Sequence, residues 1–181
     1  MSEYKLRPVI TYNRIQSKIR EIAKTISAQY KDKNLVMVGI LKGAFIFLAD
    51  LVRELSIPVE IDFIRLASYG TKAESSGSVQ LTKDIELPLE GKDVVIVEDI
   101  VDTGYTLEFL VDHLKKKNPR SVKVCALVDK SERRTCPVKI DFTGFKIPRG
   151  FLVGYGLDFS EKFRYLKDVY EIIFEKESNK K

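Results

Sequence analysis

The spacing of apolar positions changes period several times along this chain, and each period predicts an element. Ile15, Ile19, Ile22 and Ile26 recur at steps of four, three and four with Lys, Arg and Glu between them, which predicts an amphipathic helix over 11–30. Thr11 or Asn13 would cap it. Leu35 to Leu41 is an unbroken apolar run, too short for a core helix, and reads as a buried strand of parallel type. A second helix is expected from Gly43 to about Leu55, with Phe45, Phe47, Leu48, Leu51 and Val52 facing the core, until Ser56-Ile57-Pro58 breaks it. Val59 to Ala67 reads as a strand with Val59, Ile61, Phe63 and Arg65 on one face, and Ser68 to Ser78 has the Gly and Ser content of a surface loop. Further strands are predicted at Val79–Thr82, Val94–Val97 and Val122–Val128, a helix at Thr103–Lys117, and short strands at 138–142, 151–155 and 169–174.

Strands that alternate with helices imply an α/β fold with a mostly parallel sheet covered on both faces. Such sheets bind ligands beyond the carboxyl ends of their strands. Attention therefore falls on the residues just after Leu41, Val97, Val128 and Tyr155. A length of 181 residues suits one domain, drawn at 1–175 with a polar tail at 176–181. At 44% apolar and 31% charged residues the chain can bury a core, and no uncharged run exceeds eight positions, which excludes a transmembrane helix. The first residues lack a signal-peptide run, and two cysteines, Cys125 and Cys136, make no disulfide framework, so a cytoplasmic setting is expected. The single histidine, His113, argues against a His-based triad or a His-rich metal site.

The net charge of +5 includes +2 from the tail. It is compatible with nucleic acid, with a small polyanionic substrate or with solubility alone, and does not choose among them.

The chemistry concentrates in Val94 to Thr106, where four β-branched residues lead into Glu98-Asp99, a third acid at Asp102, and Thr103-Gly104-Tyr105-Thr106 at a helix start. Acids crowded at one strand end repel one another unless they bind something, and a helix N-terminus with a glycine and two hydroxyls offers N–H donors to an anion. An acid pair beside a phosphate cradle suits a sugar phosphate, with carboxylates for the ribose hydroxyls. The plainer alternative is Asp102 or Thr103 as an ordinary helix cap. Neither GxxxxGK[ST] nor a GxGxxG motif after a strand is present.

Glu98-Asp99-Ile100-Val101-Asp102-Thr103-Gly104 resembles the phosphoribosyl-diphosphate (PRPP) motif of type I phosphoribosyltransferases. Leu41-Lys42-Gly43, Asp62 to Arg65 with Ser68-Tyr69, Val128-Asp129-Lys130, Phe142 to Pro148, and Phe151 to Asp158 with Phe163-Arg164 narrow the likeness to the branch acting on hypoxanthine and guanine. The resemblance spans roughly residues 5–174. It implies a single α/β domain with a central twisted sheet and a small hood from the chain ends. The implied reaction is transfer of phosphoribose from PRPP to a 6-oxopurine, with release of pyrophosphate and Mg²⁺ as cofactor.

Carried over by position, Glu98 and Asp99 would bind the ribose hydroxyls directly or through Mg²⁺, and Asp102, Thr103, Gly104, Tyr105 and Thr106 would wrap the 5′-phosphate. Asp102 would also be the general acid–base near purine N7. Lys42 and Gly43, at a peptide that is often cis in the family, would hold pyrophosphate together with Arg164. Asp158, beside the purine pocket, would take a second Mg²⁺. Lys130 would donate to the purine 6-oxo group, Phe151 would stack on the ring, and Leu152 would meet its pyrimidine edge through backbone. Ser68 and Tyr69 would belong to a lid. A homodimer or homotetramer is implied, with no nucleic acid or membrane partner. Two other functions share this fold: an RNA-binding regulator of pyrimidine genes that keeps the PRPP loop, and a transferase for another base such as xanthine.

Overall fold

The computed structural model describes residues 4–68 and 79–174. Tyr69, the 69–78 part of the predicted loop and the 176–181 tail lie outside the described residues. In chain order the elements are β1 (Tyr4–Ile10), α1 (Tyr12–Gln29), β2 (Leu35–Leu41), α2 (Phe45–Glu54), β3 (Glu60–Ser68), β4 (Val79–Lys83), β5 (Asp93–Val101), α3 (Tyr105–Lys115), β6 (Ser121–Asp129), β7 (Phe142–Lys146), β8 (Leu152–Val153) and β9 (Val169–Phe174).

Six strands form one sheet in the order β4-β3-β2-β5-β6-β7, parallel throughout except for the β3–β4 pair. The three-stranded antiparallel sheet β1-β9-β8 forms the expected hood. Strand β2 is apolar along its length because both of its faces are covered. Leu35 and Met37 pack with Val95 and Val97 against α1 and α2, while Val36, Val38 and Ile40 pack with Val94 and Ile96 against α3. From β2 the chain crosses outward to β3, and from β5 it crosses the other way to β6. The β2–β5 seam is therefore the switch point of the sheet, and a crevice is expected at its carboxyl end. Among the described residues no helix is long and apolar enough to cross a membrane.

Several sequence expectations need correction. Helix α2 begins at Phe45, not Gly43, and Phe45 is 45% exposed because it sits on the outer side of the first turn. In β3 the expected face is only partly covered: Val59 and Phe63 pack on the α1 and α2 side, Ile61 is exposed, and Asp62 and Ile64 are buried. Asp62 is accommodated there because its carboxylate accepts the N–H groups of Phe63, Glu86 and Leu87. The strand expected at 138–142 is displaced to β7; Val138 and Ile140 pack on the α3-side core without joining the sheet. That expected at 151–155 shrinks to Leu152–Val153, because Gly154, Tyr155 and Gly156 all take positive φ and turn the chain. The helix expected at Thr103–Lys117 is shorter by two residues at each end. Thr11 holds the α1 cap position without a side-chain bond; Asp168 Oδ1 accepts the Tyr12 N–H instead, at 2.6 Å.

Candidate active site

Strand β5 carries the central residues. It does not stop at Val97 but runs through the acid pair to Val101. Before the pair, Val95 and Val97 face α1 and α2; after it, Ile100 packs on that side and Val101 on the α3 side. The alternation thus slips by one across Glu98-Asp99. Strict alternation would hold these two side chains on opposite faces of the sheet; the slip puts Glu98 under the direct influence of the Asp99 charge. Burial, then the charge of Asp99, pushes Glu98 well above the ordinary glutamate range. Burial also raises Asp99, against the lowering effects of neighbouring Glu98, the Ile100 N–H and the Arg164 charge.

Beyond Val101 the chain turns through Gly104, whose φ of 96° favours glycine, into α3. The cap position is Gly104, and it has no side-chain cap bond. Neither Asp102 nor Thr103 serves as the cap, which leaves the first N–H groups of α3 unclaimed by a capping side chain. Asp102 Oδ2 lies 3.6 Å from Lys130 Nζ and 3.7 Å from an Arg133 nitrogen. The Lys130 N–H donates to Val101 O at 2.9 Å, which ties the end of β6 to the end of β5.

On the other side of the seam, the Leu41–Lys42 peptide is cis and leads to Gly43. Gly43 lies directly on the Asp99 carboxylate, so an added Cβ would overlap it. Gly156 in turn lies against Gly43 O, with no room for a side chain between them. The turn containing Gly156 is anchored below by Tyr155, whose hydroxyl donates to Asp50 on α2. Arg164 donates to Gly156 O at 2.8 Å and pairs with Asp158 at 2.7 Å. Lys42 pairs with Glu161 at 2.9 Å, and the same Glu161 oxygen lies 3.4 Å from Arg164. These two cations lower the Glu161 carboxyl below its ordinary range, the Lys42 hydrogen bond most of all. Sequence reasoning missed Glu161: an exposed acid in a turn has no pattern to mark it, and its φ of 62° is visible only in the fold.

Lys130 is almost fully buried, with its loop joined by the Glu132 N–H to Pro148 O and, through Asp129 O, to the Ile147 N–H. Phe151, three residues after Pro148, is 45% exposed, with Phe159 and Phe174 edge-on to its ring. Leu152 is buried in β8. Ser68 ends β3, and its lid partner Tyr69 is outside the described residues. Of the other candidates, Cys125 is a core residue and His113 pairs with Asp84.

Buried polar atoms without a hydrogen-bond partner mark what the site is built to receive. Among the described residues there are five: Tyr30 Oη, Asp93 Oδ2, Glu98 Oε2, Asp102 Oδ1 and Arg164 Nε. Three of them belong to residues that the sequence singled out for chemistry. The donor set of Glu98 and Asp99 fits Mg²⁺, which takes one or two carboxylates and completes its shell with substrate oxygens and water. No group of three metal-ligating side chains occurs among the described residues, so no all-protein metal cage is present there.

An acid pair, an unclaimed helix N-terminus and two cations at the switch point of a parallel sheet have the chemistry suited to a sugar phosphate. The sequence profile of the phosphoribosyl transferase domain matches residues 11–160, and the chain belongs to that family. Its likeness within the family is to the hypoxanthine and hypoxanthine-guanine phosphoribosyltransferases. The chain is 41% identical over 178 residues to the hypoxanthine phosphoribosyltransferase of Haemophilus influenzae, covering 97% of this chain and 99% of that one. It is 44% identical over 169 residues to the hypoxanthine-guanine phosphoribosyltransferase of Aquifex aeolicus, covering 93% and 95%. The crystal structure of a hypoxanthine-guanine phosphoribosyltransferase from Bacillus anthracis superposes with a TM-score of 0.88 at 39% identity, covering 94% of this chain and 99% of that one.

Proposed function

We propose that this protein is a purine-salvage enzyme that transfers the 5-phosphoribosyl group of PRPP to hypoxanthine and guanine, releasing pyrophosphate. The observation that carries the reading is the gathering of Glu98 Oε2, Asp102 Oδ1 and Arg164 Nε, buried and unpartnered, at one end of the β2–β5 seam. One catalytic domain spans 1–175.

In the reaction the bond from ribose C1′ to the pyrophosphate oxygen breaks and a bond to a purine ring nitrogen forms. The N–H groups at the start of α3, with Thr103 and Thr106, hold the 5′-phosphate. Glu98 and Asp99 hold the ribose hydroxyls, and their charge steadies the positive ribosyl centre as it develops. Lys42 and Arg164 receive the leaving pyrophosphate, which replaces the Glu161 carboxylate as their shared partner. Glu98 and Asp99 would hold one Mg²⁺ and Asp158 a second, and the metal would supply neutralisation of charge on the phosphate oxygens. Asp102 takes the proton from purine N7 as the base attacks, and Lys130 at 3.6 Å stabilises its charge before transfer.

Lys130 donates to the 6-oxo group, a contact that a 6-amino purine cannot accept. Phe151 offers its ring to the base, and the backbone at Leu152 meets the far edge. Ser68 and Tyr69 close over the pyrophosphate side and exclude water. The enzyme works as a homodimer or homotetramer, a reading supported by Tyr4, Phe45 and Tyr165, exposed apolar rings that line one groove. It acts in the cytoplasm, where Cys125 and Cys136 stay as free thiols.

The test is nucleotide formation from PRPP and each of hypoxanthine, guanine, xanthine and adenine, with Mg²⁺. Product from the first two and none from adenine is expected. Product from adenine alone, or from none of the four, would overturn the reading.

A further inference from the structure

Arg134 has no part in the assignments above, yet among the described residues no side chain makes more bonds to the two loops that matter for the base. It lies five residues past the end of β6, with only 18% of its side chain exposed. Its Nε–H donates to Asp102 O at 2.8 Å. One terminal nitrogen donates to Val101 O at 3.0 Å and to Asp129 Oδ1 at 2.6 Å, and stands 3.5 Å from Lys130 O. The residues that follow add to the seam: the N–H groups of Thr135 and Cys136 both donate to Thr103 O, at 3.1 and 3.0 Å. Gly104 fits under Cys136, whose carbonyl oxygen would lie 2.7 Å from a Cβ there. The 129–136 loop is thus fastened to Val101, Asp102 and Thr103, and among the described residues Arg134 is the one side chain that bonds the peptides of both Asp102 and Lys130.

We propose that Arg134 is a positioning residue for the transfer reaction, a planar fork that sets the spacing between the proton-accepting Asp102 and the base-binding Lys130. The inference rests on the proposed roles of those two residues. Lys130 and Asp102 face each other at 3.6 Å, which leaves them free to act on two different atoms of one purine only if neither backbone drifts. The acceptors around Arg134 are three carbonyls and one carboxylate, fixed in direction. A guanidinium matches such a set because its five donors are held in one plane. A lysine could keep the charge beside Asp129 but could not reach Asp102 O and Val101 O together. Misplacement by about 1 Å of a reacting group costs on the order of 10²-fold in rate.

The discriminating variant is Arg134→Lys, studied alone and in an Asp102→Asn background, with kcat, KM for hypoxanthine and inhibition by pyrophosphate measured on each folded protein. Arg134→Lys alone is expected to lower kcat by roughly 10²-fold and raise the hypoxanthine KM, with pyrophosphate inhibition within twofold of the parent. In the Asp102→Asn background the same change is expected to cost little further kcat, because the residue acts through Asp102. A merely structural role would weaken pyrophosphate binding at Lys42 and Arg164 in step, and would add its full loss in both backgrounds. Either result, or a kcat for Arg134→Lys within twofold of the parent, overturns the proposal. Failure of the underlying reading shows separately, as an Asp102→Asn enzyme with parental turnover.

Discussion

Gly43→Ala isolates the close packing at the β2–β5 seam. Gly43 has an ordinary backbone conformation, so alanine carries no φ penalty, and the whole effect comes from space. The added methyl would sit 2.8 Å from the farther carboxylate oxygen of Asp99 and closer still to Oδ2 and Cγ. An ordinary contact needs about 3.5 Å, and the nearest carboxylate oxygen sets the shift, so Asp99 or the Lys42–Gly43 loop must move by roughly 1.5 Å. Asp99 is 6% exposed and bonded to the Ile100 N–H, and Gly43 O is held under Gly156, so neither can yield freely. Overpacking of this kind costs about 1–3 kcal/mol. At roughly 2–4 °C per kcal/mol for a chain of this size, the melting temperature should drop by about 2–12 °C. A 1 Å displacement of a substrate-holding carboxylate is worth on the order of 10²-fold in rate, or about 2.7 kcal/mol of transition-state stabilisation. The assay is kcat/KM for PRPP at saturating hypoxanthine, beside a circular-dichroism melt. A variant with parental kcat/KM and an unchanged melt would show that the seam has slack, and that Gly43 is not what sets the position of Asp99.

Asp102→Asn should leave the melt unchanged and lower turnover by about 10²–10⁴-fold, the usual range for a general acid–base group; steady-state rates decide it, and parental turnover removes its proton-transfer role. Lys130→Ala should raise the KM for hypoxanthine more than that for PRPP, and equal losses would move Lys130 out of the purine pocket. Chelation of divalent cations should abolish transfer and Mg²⁺ should restore it; full activity in chelator refutes the metal reading. Burial raises the Glu98 pKa above the ordinary 4.5, so its ionised form is disfavoured in the fold and stability is lost as pH rises from that value through the folded one. Glu98→Gln should therefore melt higher than the parent near pH 8 in metal-free buffer while losing activity, and a lower melt at that pH would contradict the sign.

What the sequence made legible follows from how each element is stabilised. Strands β2 and the first half of β5 are buried on both faces, so their apolar runs stood out, and the Ile15–Ile26 ladder marked the one face that α1 buries. Strand β1 was not foreseen. It carries Lys5, Arg7 and Pro8, is largely exposed, and shifts register between Pro8 and Ile10, so its pairing with β9 has no local signature. The second half of β5 was hidden because charged residues there read as loop. The acid pair and the 102–106 turn stood out from their own chemistry at a strand end, whereas Lys130 and the residues around Gly156 came into view through motif likeness, which preserves chain order. Glu161 and Arg134 were not, because their importance lies in partners far along the chain: Lys42 for the one, and the peptides of Val101 and Asp102 for the other. Ion pairs and side-chain bonds to remote carbonyls leave no periodicity to read.

The hood joins the two extremes of the described chain, with residues 4–10 paired to 169–174 and Asp168 capping the first helix. This orders events during synthesis on the ribosome. The sheet from β2 to β7, with its acid pair and the 102–106 turn, can assemble once residue 146 has emerged. Strand β1 must then wait with its edge unpaired until β9 is made, and Phe151 gains the ring of Phe174 only at that last step. At about 5–20 residues per second the interval is short. During it the nascent chain holds the acid pair and the 102–106 turn without the closing strand, so the cluster of rings around Phe151 is completed last, with β9.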